Sequence, residues 1–275
     1  MLDICECFSP ACQPCITNDL QLNKDSGNQN LLLTGPNGSG KSTYLKSVMS
    51  AVILAQTVGM APAKTMEFTP FAHLSTYLNI PDCQGKESLF QAEMTRCHDH
   101  LAMLRELESQ PGKFSFNIMD EIFVSTNYLE GMSGAYAVIK SLGTLTNSLH
   151  IITTHFDKLT DPETPIPGYV YKHFTIDVDP VDDSVILKDY KLRDGVNRKH
   201  MALHLLKLRG FDSGLVESAR EMYSKLVEAE STDKVKTNGE LPSSQAVDSQ
   251  VPNSEDPVEE INKQPEETND SESAG

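Results

Sequence analysis

The chain has 275 residues, 39 Asp plus Glu against 23 Lys plus Arg, a formal charge of −16, 39% apolar residues and no Trp. That is enough for one domain with an appendage, and too little for several. Its longest apolar runs, Asn30 to Thr34 and Ala51 to Ala55, fall far short of the roughly 20 residues that span a bilayer, and no basic leader follows Met1, so neither a membrane span nor a secretory signal is expected. The acidic balance excludes bulk electrostatic attachment to a phosphate backbone, and any grip on nucleic acid has to come from a local basic patch or from another chain.

Four cysteines, Cys5, Cys7, Cys12 and Cys15, open the chain at a spacing tighter than most structural zinc patterns. They read as reduced thiols, and Cys83 and Cys97 as scattered filler. An apolar run, Asn30 to Thr34, predicts a strand; a glycine-rich stretch follows, and from Lys41 the apolar residues Tyr44, Leu45, Val48, Met49, Val52 and Ala55 recur at helical spacing. Ser88 and Gln91 have capping-box spacing and begin a helix running to about Leu107, whose Met94, Leu101 and Leu104 are a core stripe. Phe114 to Met119 predicts a buried strand that ends in Asp120 and Glu121; Gly131 to about Leu145 predicts a helix, and Leu149 to Thr154 a strand that ends in His155. Alternation on either side of Asp179–Asp183 predicts an antiparallel hairpin of Tyr171–Val178 with Ser184–Lys191.

After Gly195, helical patterns over about Lys199–Leu208 and Ser213–Val227 flank the short turn Arg209–Asp212, a helix-turn-helix. From Glu228 to Gly275 there are 13 acids against 3 bases and no aromatic residue. Such a segment buries too little apolar surface to offset chain entropy and reads as a disordered acidic tail. The predicted organisation is residues 1–195 as a nucleotide-binding domain, 196–227 as the helix-turn-helix and 228–275 as the tail. The fold class is α/β, a P-loop NTPase domain whose mostly parallel sheet is flanked by helices.

The chemistry centres on Gly35, Pro36, Asn37, Gly38, Ser39, Gly40, Lys41, Ser42 and Thr43, which fit Gly, four residues, Gly-Lys-Ser/Thr between a strand and a helix. The glycines let successive backbone N–H groups turn toward a β-phosphate, and the helix N-terminus adds its positive dipole end. Lys41 is the candidate ligand of the β- and γ-phosphates, and Ser42 of Mg²⁺. Asp120 is placed to hold the metal, Glu121 to act as general base on water, and His155 to sense the γ-phosphate. The expected ligands are therefore ATP and Mg²⁺.

In this order the segments resemble the ATPase domain of MutS-type DNA mismatch repair proteins. The resemblance rests on Asn18–Asp19, Thr34–Tyr44, Gly59–Ala63, Ser88–Met94, Met119–Ile122, Thr154–Phe156, Tyr190–Gly195, Leu208–Gly210 and Ser218–Glu221, and covers nearly all of residues 10–227. It implies an ATP-hydrolysing dimer with a shared site, in which Ser88 reaches the γ-phosphate bound by the other subunit, and in which the helix-turn-helix serves dimerisation. A γ-phosphate held from both sides makes hydrolysis a conformational switch. The basic residues Lys191, Arg193, Arg198, Lys199, Lys207 and Arg209 keep open a DNA-contact reading of the same element.

Departures from the family pattern are equally specific. Phe123–Thr126 stands where members have Gly-Arg-Gly-Thr, Cys15 replaces an aromatic adenine platform, and a Ser usual in the first C-terminal helix is replaced around His200. Only residues 1–34 precede the glycine loop, so DNA contact is expected through additional domains or partner chains. The compartment implied is intracellular, the nucleus in a eukaryote and otherwise the cytoplasm. Two rival readings are an ABC-type nucleotide-binding subunit, whose Leu-Ser-Gly-Gly-Gln signature does not occur here, and a nucleotide-loaded dimerisation module that scarcely turns over.

Overall fold

The computed structural model describes residues 1–12, 15–23, 29–78, 88–161, 164–182, 185–197 and 201–237. Three apolar runs form the strands that organise everything else: β3 (Asn30–Thr34), β6 (Ser115–Asp120) and β7 (Ser148–Thr153). Buried on both faces, they take the middle of a six-stranded sheet ordered β11-β8-β3-β7-β6-β5. Its other members are β5 (His73–Tyr77), β8 (Tyr169–His173) and β11 (Arg193–Asp194). All neighbours are parallel except β11, which runs antiparallel to β8. The fold is thus mixed α/β with a mostly parallel sheet, and parallel neighbours require the helical crossovers that the sequence supplies.

Helix α1 (Lys41–Val58) covers one face, packing Tyr44, Leu45, Val48, Met49 and Val52 with Leu31, Leu33, Phe116, Ile118 and Ile151. Helices α2 (Leu89–Glu108) and α3 (Tyr128–Gly143) cover the other, where Cys97, Leu104, Ala135, Ile139 and Leu142 meet Leu32, Met119 and Ile152. Ser88 caps α2 with the expected capping box. A second sheet was not foreseen: β1 (Leu2–Cys7) pairs antiparallel with β2 (Asn18–Leu22) and with β4 (Thr65–Phe68). Leu2, Ile4, Leu20 and Leu22 alternate inward from it onto the α1 side of the core.

The expected hairpin is smaller than its pattern. Tyr171 to His173 belongs to β8, which pairs parallel with β3 in register Leu32 to Tyr171, because the free edge of β3 offers a buried ladder. Only β9 (Asp177–Val178) and β10 (Ile186–Leu187) form the hairpin; residues 183 and 184 lie outside the described residues. The two C-terminal helices are α4 (Ala202–Leu208) and α5 (Ser213–Thr237). Helix α5 runs beyond Val227 into the acidic segment. Arg198, Lys199 and His200, Cys83, and residues 238–275 lie outside the described residues. The chain divides into two units, Met1–Arg220 and Glu221–Gly275; the first holds all three sheets, and the second begins with the remainder of α5. Among the described residues no helix is long and apolar enough to cross a membrane.

Candidate functional site

The carboxyl ends of β3, β7 and β6 lie side by side, and each carries polar residues foreseen in the sequence. From β3 the chain enters the glycine loop with positive φ at Gly35, Gly38 and Gly40 (143°, 74° and 105°). Gly35 has no alternative: a Cβ there would stand 2.8 Å from the Phe174 carbonyl oxygen and 2.9 Å from Ser39 Oγ. Gly40 is the N-cap of α1 and makes no side-chain cap, so the first-turn amides of α1 have no capping side chain and keep their anion-seeking character. The buried Lys41 ammonium folds back over the loop, donating to the Gly35 carbonyl at 2.8 Å, and lies 3.3 Å from His155 Nε2 and 3.7 Å from Glu121 Oε1. Burial lowers its pKa; Glu121 and Asp120 oppose that only in part.

One residue further, the Ser42 hydroxyl donates to Asp120 Oδ2 at 2.6 Å, while the Thr153 hydroxyl donates to Asp120 Oδ1 at 2.5 Å. Asp120 and Thr153 are paired in the β6–β7 register, which fixes that carboxylate at the sheet edge. Glu121 turns off the strand with φ 55°, its N–H held by Thr153 Oγ1 at 3.0 Å, and its carboxylate meets His155 Nε2 at 2.6 Å. Burial alone raises the Glu121 pKa, but the imidazole of His155 and the ammonium of Lys41 outweigh it and hold the carboxyl below its ordinary range. Gly35 to Ser42, Asp120, Glu121 and His155 thus converge at one sheet edge.

Ser88 stands outside this bonded cluster. It is exposed, and its side chain accepts the Gln91 N–H at 3.3 Å. In the turn after Glu121, Phe123 is buried while Val124 is exposed. Phe123, at φ 58°, lies edge-on to Phe90 of the first turn of α2, with ring centres 5.8 Å apart. Its carbonyl would stand 2.3 Å from a Cβ on Gly131, and its ring 2.9 Å from one on Gly134. The four N-terminal cysteines separate, Cys5 and Cys7 on β1 and Cys12 and Cys15 on the following loop. Among the described residues no group of three or more His, Cys, Asp or Glu is arranged to hold a metal ion.

Beside the glycine loop is a cavity of about 440 Å³ lined by Phe8, Ile16, Asn18, Thr43, Tyr44 and Tyr190, among others. Tyr190 Cδ1 would lie 3.1 Å from a Cβ on Gly40, and Lys188 Nζ 3.3 Å from one on Gly38. Asn18 pins this segment, donating to the Tyr190 carbonyl at 2.9 Å and accepting the Leu192 N–H at 2.7 Å. Sequence reading gave Lys188 and Tyr190 no role at the loop; their spacing of two in an apolar-polar alternation was the available signal.

A family model described as MutS domain V matches residues 31–227. The chain is 30% identical over 222 residues to the DNA mismatch repair protein MutS of Acetivibrio thermocellus, covering 80% of this chain and 24% of that protein. It is 32% identical over 218 residues to the MutS of Clostridium novyi, covering 78% and 23%. Against the DNA mismatch repair protein MSH3 of Eremothecium gossypii it is 30% identical over 214 residues, covering 76% and 20%. The chain therefore spans about a quarter or less of the length of these relatives.

Proposed function

Because this chain belongs to the MutS family, we propose that it is the ATP-binding and ATP-hydrolysing module of a DNA mismatch repair protein, a P-loop NTPase whose site is completed by a second subunit. The observation that carries the reading is the convergence of Lys41, the Ser42–Asp120 pair and the Glu121–His155 pair at the mouth of an uncapped helix. Gly35 to Thr43 cradle the phosphates, with Lys41 moving from the Gly35 carbonyl to phosphate oxygens. Ser42 and Asp120 offer hard oxygen donors 2.6 Å apart, the donor chemistry that suits Mg²⁺. When bound, Mg²⁺ neutralises charge on the phosphate oxygens.

Glu121 accepts a proton from the attacking water, and His155 both orients Glu121 and faces the γ-phosphate. The cavity beside Tyr190 and Ile16 takes the base, an apolar seat that compensates for Cys15 in place of an aromatic platform. Exposed Ser88 is available to a partner's site. The helix-turn-helix over residues 196–227 supplies dimer contacts, DNA is reached through additional domains or partner chains, and the compartment is that of the DNA: the nucleus in a eukaryote, the cytoplasm otherwise. The domain boundaries foreseen at residues 195 and 227 belong to this proposal.

One observation favours slow turnover. Glu121 is engaged by His155 at 2.6 Å, and the turn behind it is fixed by Phe123 against α2 and α3. The test is hydrolysis of ATP under single-turnover conditions with excess protein. Product formation lost in Lys41→Ala and Glu121→Gln supports the enzyme; ATP returned intact by wild type leaves only the binding module.

A further inference from the structure

The segment after β10 lies directly against the glycine loop, and two of its side chains touch it. Tyr190 stacks beside Gly40, at the rim of the cavity proposed for the base. Two residues earlier, Lys188 extends to the loop apex, its Nζ 3.3 Å from where a Cβ would sit on Gly38. Gly38 has φ 74° and no side chain, which is what lets an ammonium approach the backbone so closely. Among the described residues Lys188 makes no hydrogen bond and no ion pair, whereas its neighbour Asp189 is paired with Arg193 at 2.5 Å. The segment does not drift, because Asn18 holds the Tyr190 carbonyl and the Leu192 N–H, and Lys191 Nζ donates to the Thr17 carbonyl at 2.6 Å.

An unpaired cation held over a loop built to receive anions has one obvious counter-charge. We propose that Lys188 is a second phosphate-binding lysine, which reaches over Gly38 to the phosphate chain of the nucleotide from the side opposite the protein interior that holds Lys41. The inference rests on the nucleotide reading above and adds a residue to it. Lys41 is buried and placed beside Glu121 and His155, at the hydrolytic end. Lys188 is exposed and reaches the loop at Gly38, where it balances charge that a single buried ammonium leaves uncompensated. Because Lys188 is exposed, its contribution is modest and sensitive to salt.

The test is calorimetric titration of the full chain with Mg²⁺-ATP and, separately, with adenosine, for wild type, Lys41→Ala, Lys188→Gln and Lys188→Arg. Wild-type binding of ATP that Lys41→Ala loses establishes the nucleotide reading on its own. Lys188→Gln is then expected to weaken ATP about three- to tenfold while leaving adenosine unchanged, with Lys188→Arg close to wild type. The difference is expected to shrink toward zero in about 1 M salt. ATP affinity unaltered or raised in Lys188→Gln overturns the inference, the latter because it would mean that Lys188 blocks the phosphate seat. Equal losses for ATP and adenosine overturn it too, since they mark a packing role. Failure of wild type to bind ATP removes the nucleotide reading and this inference together.

Discussion

At the scale of single residues, Glu121 is the position where geometry and charge make the sharpest demand. Its carboxylate sits 2.6 Å from His155 and 3.7 Å from Lys41, held ionised by both. Glu121→Gln preserves size and the N–H bond to Thr153 while removing the proton acceptor, so the variant is expected to bind ATP normally and to hydrolyse it about 100-fold more slowly or worse. A rate equal to wild type excludes Glu121 as the base. Gly131 tests the turn behind it. Gly131→Ala puts a methyl group where the Phe123 carbonyl stands 2.3 Å away, a collision with backbone and not with a movable side chain. A loss of about 1–3 kcal/mol in urea-unfolding stability is expected, against the slight gain that Gly→Ala normally brings inside a helix. A variant as stable as wild type would mean that the turn yields freely.

At the scale of elements, the face of the sheet under α2 and α3 carries an unusual polar row. Ser75, Asn117 and His150 are neighbours in register across β5, β6 and β7, and Asn30 of β3 accepts the His150 N–H at 2.8 Å. His100 descends from α2 onto Ser75 at 2.7 Å. Burial pushes the His150 pKa down to about 3 with help from His100, and burial pushes His100 down to about 4, with His73 and Arg96 adding to it. Both are neutral in the fold and titrate near 6.5 when unfolded, so the unfolded chain binds more protons below that value. Stability is therefore complete above about pH 6.5 and falls as pH drops through 6 to 5, by about 2 kcal/mol per histidine at pH 5. Urea unfolding across that interval checks the slope; His150→Leu is expected to flatten it by about half, and a wild-type curve level from pH 7 to 5 contradicts the assignment.

The same row explains what sequence reading could and could not reach. Strands β3, β6 and β7 were legible because their apolar runs end in polar residues, whereas β5, with His73, Ser75 and Thr76, lacks a run and was passed over. Tyr171 alternates as a hairpin strand would, yet the larger buried ladder on β3 claimed it. Motif residues contiguous in sequence, Gly35 to Ser42 and Asp120–Glu121, were readable as chemistry from their spacing. Lys188 and Tyr190 were not, because their relation to Gly38 and Gly40 is created by about 150 residues of intervening fold.

At the scale of the whole molecule, the proposed switch needs a second copy or a partner of the same family, and the surface is consistent with one. Around the turn that follows Glu121, Val124, Tyr128 and Leu129 are exposed at 46%, 47% and 59%. In the second unit Met222 and Leu226, one helical turn apart, are exposed at 56% and 55%. On the proposal of a shared site, these are apolar side chains that a second subunit would cover. ATP that binds a closed dimer more tightly than the open monomers draws the equilibrium toward the dimer by that difference in affinity and by no more. On that proposal Glu121→Gln would hold ATP without consuming it and be the form in which closure accumulates. Sedimentation velocity of that variant is therefore expected to give a faster boundary with Mg²⁺-ATP than with ADP or no nucleotide. Ser88→Asp keeps an N-cap acceptor for α2 and, on the proposal above, sets a negative charge against the other subunit's γ-phosphate; it is expected to bind ATP normally and to remain at the slower boundary. Identical boundaries for Glu121→Gln with and without ATP over a wide range of protein concentration would leave this chain unable to close on a second copy, and the required subunit would have to be a different member of the family.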